Sequence, residues 1–232
     1  MTQFYLVRHG QASFGTDNYD RLSELGHQQA RWLGEYFAER DMGFDALVCG
    51  DLVRHRETGA GICEGLGVAL PEDIQPGLNE FDFQSLVDAY LTQHPDQVPG
   101  EGAPVAAFYK ALKTAMKHWR MDTLTGDLPE TWQGFSDRVA GARDHIQQQY
   151  SGKDRVLIVS SGGAMAMFIK HVLGASDDAV VELNLQIRNS SVSHGFFNQK
   201  VVRMASFNNV PPGPSGPLRG DYLLLKKDIQ HP

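Results

Sequence analysis

Short apolar runs alternate with segments of helical periodicity through much of this 232-residue chain. The runs typical of buried strands are QFYLV (3–7), DALVCG (45–50) and RVLIVSS (155–161). Apolar residues recur at helical spacing from Leu22 to about Arg40, and helices are also expected at about 51–65 and 162–174. Buried strands that are separated by helices favour a mostly parallel sheet covered on both faces. The pattern therefore predicts an α/β fold, a three-layer α/β/α sandwich around a mostly parallel central sheet.

The stretch of about 84–150 departs from this alternation. Its helix-like pieces lie at about 84–93, 104–120 and 132–150, and no clear strand interrupts them. Later in the chain, QIRNSSVSHGFFN (186–198) and KVVRMASFN (200–208) are expected to close the sheet as a strand pair. We predict a single domain over 1–232 with a helical cap inserted at about 84–150. The role of the C-terminal segment 211–232 is left open, and its YLLLKK run fits either a last strand or a packing tail.

The charge balance and the cysteines limit the function classes. A net charge of −7, from 21 basic and 28 acidic residues, argues against a nucleic-acid-binding protein, which usually carries a basic patch. Cys49 and Cys63 form neither a disulfide framework nor a metal-ligand spacing, so we expect two reduced thiols. No signal-peptide pattern is present, and the weakly polar stretch 156–169 is too short to cross a bilayer. We expect a cytoplasmic protein without nucleic-acid or membrane partners, and an oligomer is compatible with the sequence.

Polar clusters follow each of the three strand-like runs. They are Arg8-His9-Gly10, Gly50-Asp51 with Arg54 just after, and Ser160-Ser161-Gly162-Gly163. Because ligands of open parallel sheets bind beyond the carboxyl ends of the strands, we expect these clusters to meet. Arginine offers a planar fork for phosphate oxygens, a neutral histidine can attack phosphorus, and glycine lets the backbone approach an anion closely. Together the clusters predict a phosphate-ester site, although each alone also fits a surface turn or a solvated helix.

Two further motifs have competing interpretations. VSSGG (159–163) could belong to a serine-hydrolase elbow, but Val159 stands where that motif needs its first glycine, so we discount a serine nucleophile. GLNEFDF (77–83) carries Glu80 and Asp82. A carboxylic acid there could protonate a leaving oxygen, or the segment could be an ordinary acidic loop.

Local rules give default roles to several other polar residues. Asp51 is expected to cap the helix that follows it. Histidines on helical stretches are expected to be exposed or to cap helix ends; these are His27, His55, His118, His145 and His171.

The motifs LVRHGQAS, LSELGHQQA, DLVRHRET, LNEFDF and VLIVSSGGAM, taken in this order, resemble the histidine phosphatase superfamily, the phosphoglycerate mutase-like fold. The resemblance covers about residues 3–208. It implies that His9 accepts a phosphoryl group as a phosphohistidine and that Glu80 is the proton donor. It also implies that Arg8 and Arg54 hold the phosphoryl oxygens, with Gly10 completing the signature.

The chain departs from the family pattern at Ser161, where the family usually carries a second histidine just before Gly-Gly. A serine hydroxyl is shorter and neutral, and the loss of one preorganised donor costs about 2–4 kcal/mol of transition-state stabilisation. Ser161 and Gly162 are nevertheless expected to bind phosphate through hydroxyl and backbone N–H groups at a helix start. On this view a histidine restored at 161 raises activity. His194 is a candidate to fill the gap, against an ordinary role as a surface strand residue.

The resemblance implies a phosphomonoester hydrolase that needs no metal and no cofactor and acts on a small phosphorylated metabolite or phosphopeptide. Phosphate or another oxyanion would bind in the same pocket. A catalytically weak or inactive phospholigand-binding or regulatory protein is an alternative, motivated by Ser161. A phosphoglycerate mutase ranks lower, because its extended substrate motif is not seen in QASFGTDNYD (11–20) and a mutase must protect its phosphohistidine from water.

Overall fold

The computed structural model of the protein describes residues 1–13, 20–100, 102–213 and 216–217. The strands of its central sheet are β1 (Thr2–Arg8), β2 (Ala46–Cys49), β3 (Glu72–Ile74), β4 (Arg155–Ser160), β5 (Val192–Phe197) and β6 (Val202–Asn209). They form one six-stranded sheet in the order β3-β2-β4-β1-β5-β6. Strands β1 to β4 pair in parallel, whereas β5 runs antiparallel to both of its neighbours. The predicted α/β fold with a mostly parallel central sheet is confirmed.

The described part of the chain contains seven α-helices. They are α1 (Glu24–Ala38), α2 (Val53–Leu66), α3 (Phe83–Gln93), α4 (Val105–Arg120), α5 (Trp132–Tyr150), α6 (Gly162–Leu173) and α7 (Asp177–Asn184). Short 3-10 turns lie at Pro76–Leu78 and Pro95–Gln97. The helices predicted within 84–150 coincide with α3, α4 and α5, which follow one another between β3 and β4.

Side chains of β4 alternate between two hydrophobic layers. Val156 and Ile158 pack into the cluster formed with α3, α4, α5 and α6. Leu157 and Val159 point to the opposite face and pack against α1 and α2. All four are fully buried, and each buried aliphatic side chain contributes about 1.5–3 kcal/mol of hydrophobic free energy. This two-sided burial explains why the strand reads as a continuous apolar run and not as an alternating one.

Helix α7 has no counterpart among the predicted elements. Ser176 is at its N-cap position and Asp177 lies in its first turn, where a carboxylate favours a helix start. Lys170 of α6 forms an ion pair with Asp177 at 3.0 Å. The buried Val180 and Val181 attach the helix to the larger hydrophobic cluster. The signal was present in the sequence, but this short helix has only eight residues in which to show its period.

The closing strand pair is confirmed, but β5 begins six residues later than the predicted run that starts at 186. Ser190 has a positive φ of 55°, so the chain turns sharply just before the strand. Beyond β6 the structure has a two-stranded ribbon of β7 (Pro212–Gly213) and β8 (Gly216–Pro217). The YLLLKK run (222–227) lies outside the described residues.

Across the ranges that the structure describes, we find no helix with the length and apolarity needed to span a membrane.

Candidate active site

Three strand ends meet at one edge of the sheet. In the register of the sheet Arg8 lies beside Ser160, and Cys49 lies beside Val159. The backbone N–H of His9 donates to the Ser160 carbonyl at 2.9 Å. The polar clusters that follow β1, β2 and β4 are therefore neighbours in space, as the parallel pairing predicts.

His9 is held in one tautomer by its own loop. The side chain is buried, and its Nδ1 lies 2.7 Å from the carbonyl oxygen of Gly10. Since a carbonyl oxygen only accepts, Nδ1 carries the proton and Nε2 of the neutral ring carries the lone pair. Burial, and then the charges of Arg8 and Arg54, lower the pKa of His9 well below its ordinary value. The ring is therefore neutral near neutral pH, with Nε2 as its nucleophilic atom.

The backbone that carries His9 is fixed by distant residues. The side-chain amide of Asn189 donates to the carbonyls of His9 and Gly10 at 3.0 Å each. The N–H of Gly10 donates to Thr58 Oγ1 at 3.1 Å. A Cβ on Gly10 would lie 2.5 Å from the carbonyl oxygen of Gly26, so only glycine allows this approach. Sequence reasoning missed Asn189; its signal was a polar Asn-Ser-Ser run at the start of a predicted strand.

Arg54 lies in the first turn of α2 and is almost fully buried. Its Nη1 is 2.7 Å from Asp20 Oδ1, and its Nη2 is 3.5 Å from Ser161 Oγ. The second oxygen of Asp20 accepts from the N–H of Val53 at 3.0 Å. Asp20 therefore orients the guanidinium of Arg54 and also accepts a hydrogen bond from a backbone N–H in the first turn of α2.

The predicted helix cap at Asp51 is wrong. Helix α2 begins later, with Leu52 at the N-cap position, and the carboxylate of Asp51 accepts instead from the side-chain amide of Asn79. The N–H of Asp51 in turn donates to the amide oxygen of Asn79 at 3.0 Å. This pairing anchors the loop that contains Glu80 to the end of β2.

Arg8 is the second cation of the site and ends β1. Its Nη1 donates to the carbonyl of Ile187, which fixes the guanidinium from the side of α7. A Cβ on Gly162 would lie 3.7 Å from Arg8 Nε, so the guanidinium reaches the first residue of α6. Arg8, Arg54 and the start of α6 thus place positive charge and a helix N-terminus around His9, an arrangement that favours an anion.

Ser161 is fully buried at the N-cap position of α6, and its partner is a histidine that sequence reasoning placed elsewhere. Nε2 of His55 lies 2.6 Å from Ser161 Oγ. His55 is fully buried, and its ring centroid lies 5.7 Å from that of His9. The prediction that His55 is exposed or capping is therefore wrong. Burial, followed by the charge of Arg54, lowers its pKa well below the ordinary value, so this imidazole is neutral as well.

Glu80 is close enough to Arg8 and Arg54 for both charges to act on its carboxylate. One carboxylate oxygen accepts from the N–H of Gly163 at 2.9 Å, and the other accepts from the N–H of Phe81 at 3.2 Å. Burial raises the pKa of Glu80 despite these bonds, so the protonated acid persists to higher pH than in an ordinary glutamate. Asp82 has a different task, because its carboxylate caps α3 through the N–H of Ser85 at 3.0 Å.

His194 does not join the site. Its Nε2 lies 3.2 Å from Gln3 Oε1, and its ring stacks on Tyr5 with centroids 4.6 Å apart. Gln3 is the second residue of β1 and Tyr5 lies in its middle, so both are away from the end of the strand that carries Arg8. Within the described residues no group of three His, Cys, Asp or Glu side chains is placed to hold a metal ion.

Comparison with known proteins identifies the family of the chain. The sequence profile of the histidine phosphatase superfamily (branch 1) matches residues 4–210. The chain is 26% identical over 204 residues to the 2,3-bisphosphoglycerate-dependent phosphoglycerate mutase of Zymomonas mobilis, covering 80% of this chain and 89% of that protein.

Two solved structures show the same fold. One is the alpha-ribazole phosphatase from Shigella flexneri, with a TM-score of 0.64, 22% identity, and coverage of 90% of this chain and 96% of that one. The other is the phosphoserine phosphatase from Entamoeba histolytica in complex with 3-phosphoglyceric acid, with a TM-score of 0.63, 18% identity, and coverage of 90% and 98%. These structural relatives share the architecture, while their substrates differ.

Proposed function

Because this chain belongs to the histidine phosphatase superfamily, we propose that it hydrolyses phosphomonoesters through a phosphohistidine formed on His9. The observation that carries the proposal is the bond between His9 Nδ1 and the Gly10 carbonyl at 2.7 Å. It leaves the lone pair on Nε2, the ring atom that faces away from that bond. A buried imidazole that is kept neutral between two guanidinium groups is suited to attack phosphorus and poorly suited to titrate as a surface histidine.

In the first step the guanidinium groups of Arg8 and Arg54 bind the phosphoryl oxygens. The Ser161 hydroxyl and the backbone N–H of Gly162 add hydrogen bonds at the start of α6. His9 Nε2 forms the N–P bond while the P–O bond to the leaving alcohol breaks.

Glu80 supplies the proton for this step. Its carboxylic acid transfers a proton to the leaving oxygen, so the alcohol departs neutral and Glu80 becomes a carboxylate. In the second step the carboxylate takes a proton from water as the water oxygen attacks phosphorus. The N–P bond breaks, inorganic phosphate is released, and both His9 and Glu80 return to their starting states.

The leaving group would lie on the side of Glu80 that faces the predicted cap. Helix α3 starts three residues after Glu80, and a small cleft beside it is lined mainly by Phe81, Leu86, Trp119 and Leu128. This mostly apolar lining favours a small phosphorylated metabolite with apolar surface in its alcohol portion, or the side chain of a phosphopeptide. The helical stretch over about 84–150 would then act as the cap that selects the substrate.

The decisive experiment is a hydrolysis assay on a panel of phosphomonoesters, with wild type, His9→Ala and the control His171→Ala. We expect wild-type turnover, its loss in His9→Ala, and no loss in His171→Ala, since His171 lies in the last turn of α6 and contacts Ser136 of α5. Rapid acid-free quenching with labelled substrate should trap phosphate on His9 in wild type and in His171→Ala, but not in His9→Ala.

Two other outcomes would redirect the assignment. Retained phosphate binding without turnover of any ester would favour a phospholigand-binding protein, the alternative motivated by Ser161. Transfer of phosphate between two positions of a phosphoglycerate would favour a mutase, the activity named for the Zymomonas relative.

A further inference from the structure

His55 lies in an unusual place for a helix histidine. Its side chain is fully buried, and the ring fits against Gly50 at the end of β2. A Cβ on Gly50 would lie 2.3 Å from His55 Nδ1, so the absence of a side chain there makes room for the imidazole. Among the described residues Nδ1 has no hydrogen-bond partner, whereas Nε2 lies 2.6 Å from Ser161 Oγ.

The partners of Ser161 define which way its hydroxyl points. Arg54 Nη2, 3.5 Å from Ser161 Oγ, only donates, so the serine oxygen acts as an acceptor towards it. If His55 carried its proton on Nδ1, this buried N–H would lack a partner, and the Ser161 hydroxyl would have to donate its proton to Nε2. The other tautomer avoids the orphaned donor, because Nε2–H donates to Ser161 Oγ and the serine proton is free to point elsewhere.

We propose that His55 is a positioning residue for phosphoryl transfer: its Nε2–H fixes the Ser161 hydroxyl so that this hydroxyl donates to a phosphoryl oxygen held by Arg8 and Arg54. The inference deepens the proposed function and rests on it. It assigns one hydrogen-bond chain, from His55 through Ser161 to the phosphoryl group.

This hydrogen-bond chain explains how a short neutral side chain at position 161 can act as a donor to the phosphoryl group. A free serine hydroxyl rotates among several acceptors. Ordering it at the moment of reaction costs free energy, which reduces how much its hydrogen bond stabilises the transition state. The contact with His55 orders it beforehand, and the ring itself is held by Gly50. The hydrogen-bond chain also adds no charge beside His9, whose neutral form is the nucleophile.

The first test compares two amides of different reach at position 55. The amide of His55→Gln ends near the place of Nε2, whereas that of His55→Asn ends near Nδ1, short of Ser161. We expect kcat to fall about 10- to 100-fold in His55→Asn, less than for outright removal of a preorganised donor because Ser161 stays in place, and to be recovered at least in part in His55→Gln. The matched control is His171→Asn, which alters another histidine–serine contact, at 3.2 Å from Ser136, and should leave kcat unchanged.

The second test is a double-mutant cycle with Ser161→Ala. If His55 acts through Ser161, His55→Asn should change kcat by less than about twofold in the Ser161→Ala background. An equal loss in both backgrounds, or a Gln variant no better than Asn, would show that His55 contributes packing alone and would overturn the proposal. Circular dichroism checks folding, and His55→Ala replaces the Asn variant should that one not fold.

Calorimetric titration with inorganic phosphate separates this inference from the proposed function. We expect phosphate binding to weaken about tenfold in His55→Asn, equivalent to about 1.4 kcal/mol, and to stay unchanged in His171→Asn. Equal dissociation constants for wild type and His55→Asn would refute the role of His55. A wild type without phosphatase activity would refute only the proposed function, because the titration does not depend on turnover.

Discussion

A histidine introduced at position 161 tests the packing of the site directly. From the sequence alone, the family resemblance leads to the expectation that Ser161→His raises turnover. The structure leads us to expect the opposite. Ser161 is fully buried, and its Oγ is only 2.6 Å from His55 Nε2. An imidazole built at 161 would have to extend into the volume that the ring of His55 already occupies.

The expected size of the effect follows from overpacking. Inserting extra side-chain volume into a filled interior costs about 1–3 kcal/mol. For a chain of this size each kcal/mol lowers the melting temperature by about 2–4 °C, so Ser161→His should melt about 2–12 °C below wild type. Turnover should fall too, because a displaced His55 or Arg54 no longer aligns the donors around His9.

The double variant Ser161→His/His55→Ala supplies the matched control. Removing one imidazole makes room for the other, so most of the lost stability and part of the lost turnover should return. Thermal unfolding followed by circular dichroism and initial rates on the best ester of the panel measure both effects. If Ser161→His alone melts with wild type and turns over faster, the steric reasoning is refuted and position 161 has room for a larger side chain.

Two more predictions concern proton transfer and the backbone of the site. Burial lowers the pKa of His9 and raises the pKa of Glu80. On the acid side, kcat/KM should fall as pH drops through the lowered His9 pKa, because the protonated imidazole has no lone pair for attack. On the alkaline side, kcat/KM should fall as pH rises through the raised Glu80 pKa, because the acid loses its proton. Glu80→Gln should remove the high-pH limb and lower kcat about 10²–10⁴-fold, and an unchanged profile would contradict its role as the acid. Gly26→Ala should lower the free energy of unfolding, measured with denaturant, by at least about 2 kcal/mol, because its Cβ would lie 2.1 Å from the carbonyl oxygen of Gln11. Gly141→Ala, in α5 with nothing within 4 Å of its Cβ, should gain about 0.5–1 kcal/mol; equal behaviour of the two variants would disprove the backbone contact.

The parts of the fold that sequence reasoning could predict are those with strong local periodicity. β4 is buried on both faces, so its residues form one apolar run, and α5 has a helical period over 19 residues. Since parallel strands end at one edge, the meeting of Arg8, His9 and Ser161 also followed from the pattern. Helix α7 escaped because eight residues show barely two turns of a period.

The parts of the site that sequence reasoning missed depend on contacts between distant residues. His55 follows an arginine on a helix, and local rules assign such a histidine to the surface. Its burial depends on Gly50 and Ser161, and the serine lies 106 positions further along the chain. Asp20 and Asn189 escaped for the same reason, because their roles are hydrogen bonds to Arg54 and to the backbone of His9, and neither bond leaves a periodic signal.

The way in which the loop after β1 is anchored has a consequence for the protein during synthesis. The carbonyl of His9 is held by Asn189, which lies 180 positions later in the chain and is made correspondingly later. Ribosomes extend chains from the N-terminus, and such distant contacts form only after most of the chain has emerged. A nascent chain that has not yet reached Asn189 therefore carries the imidazole but lacks the side chain that holds its backbone. The loop around the ring thus takes its final form late in synthesis, after residue 189 has been made.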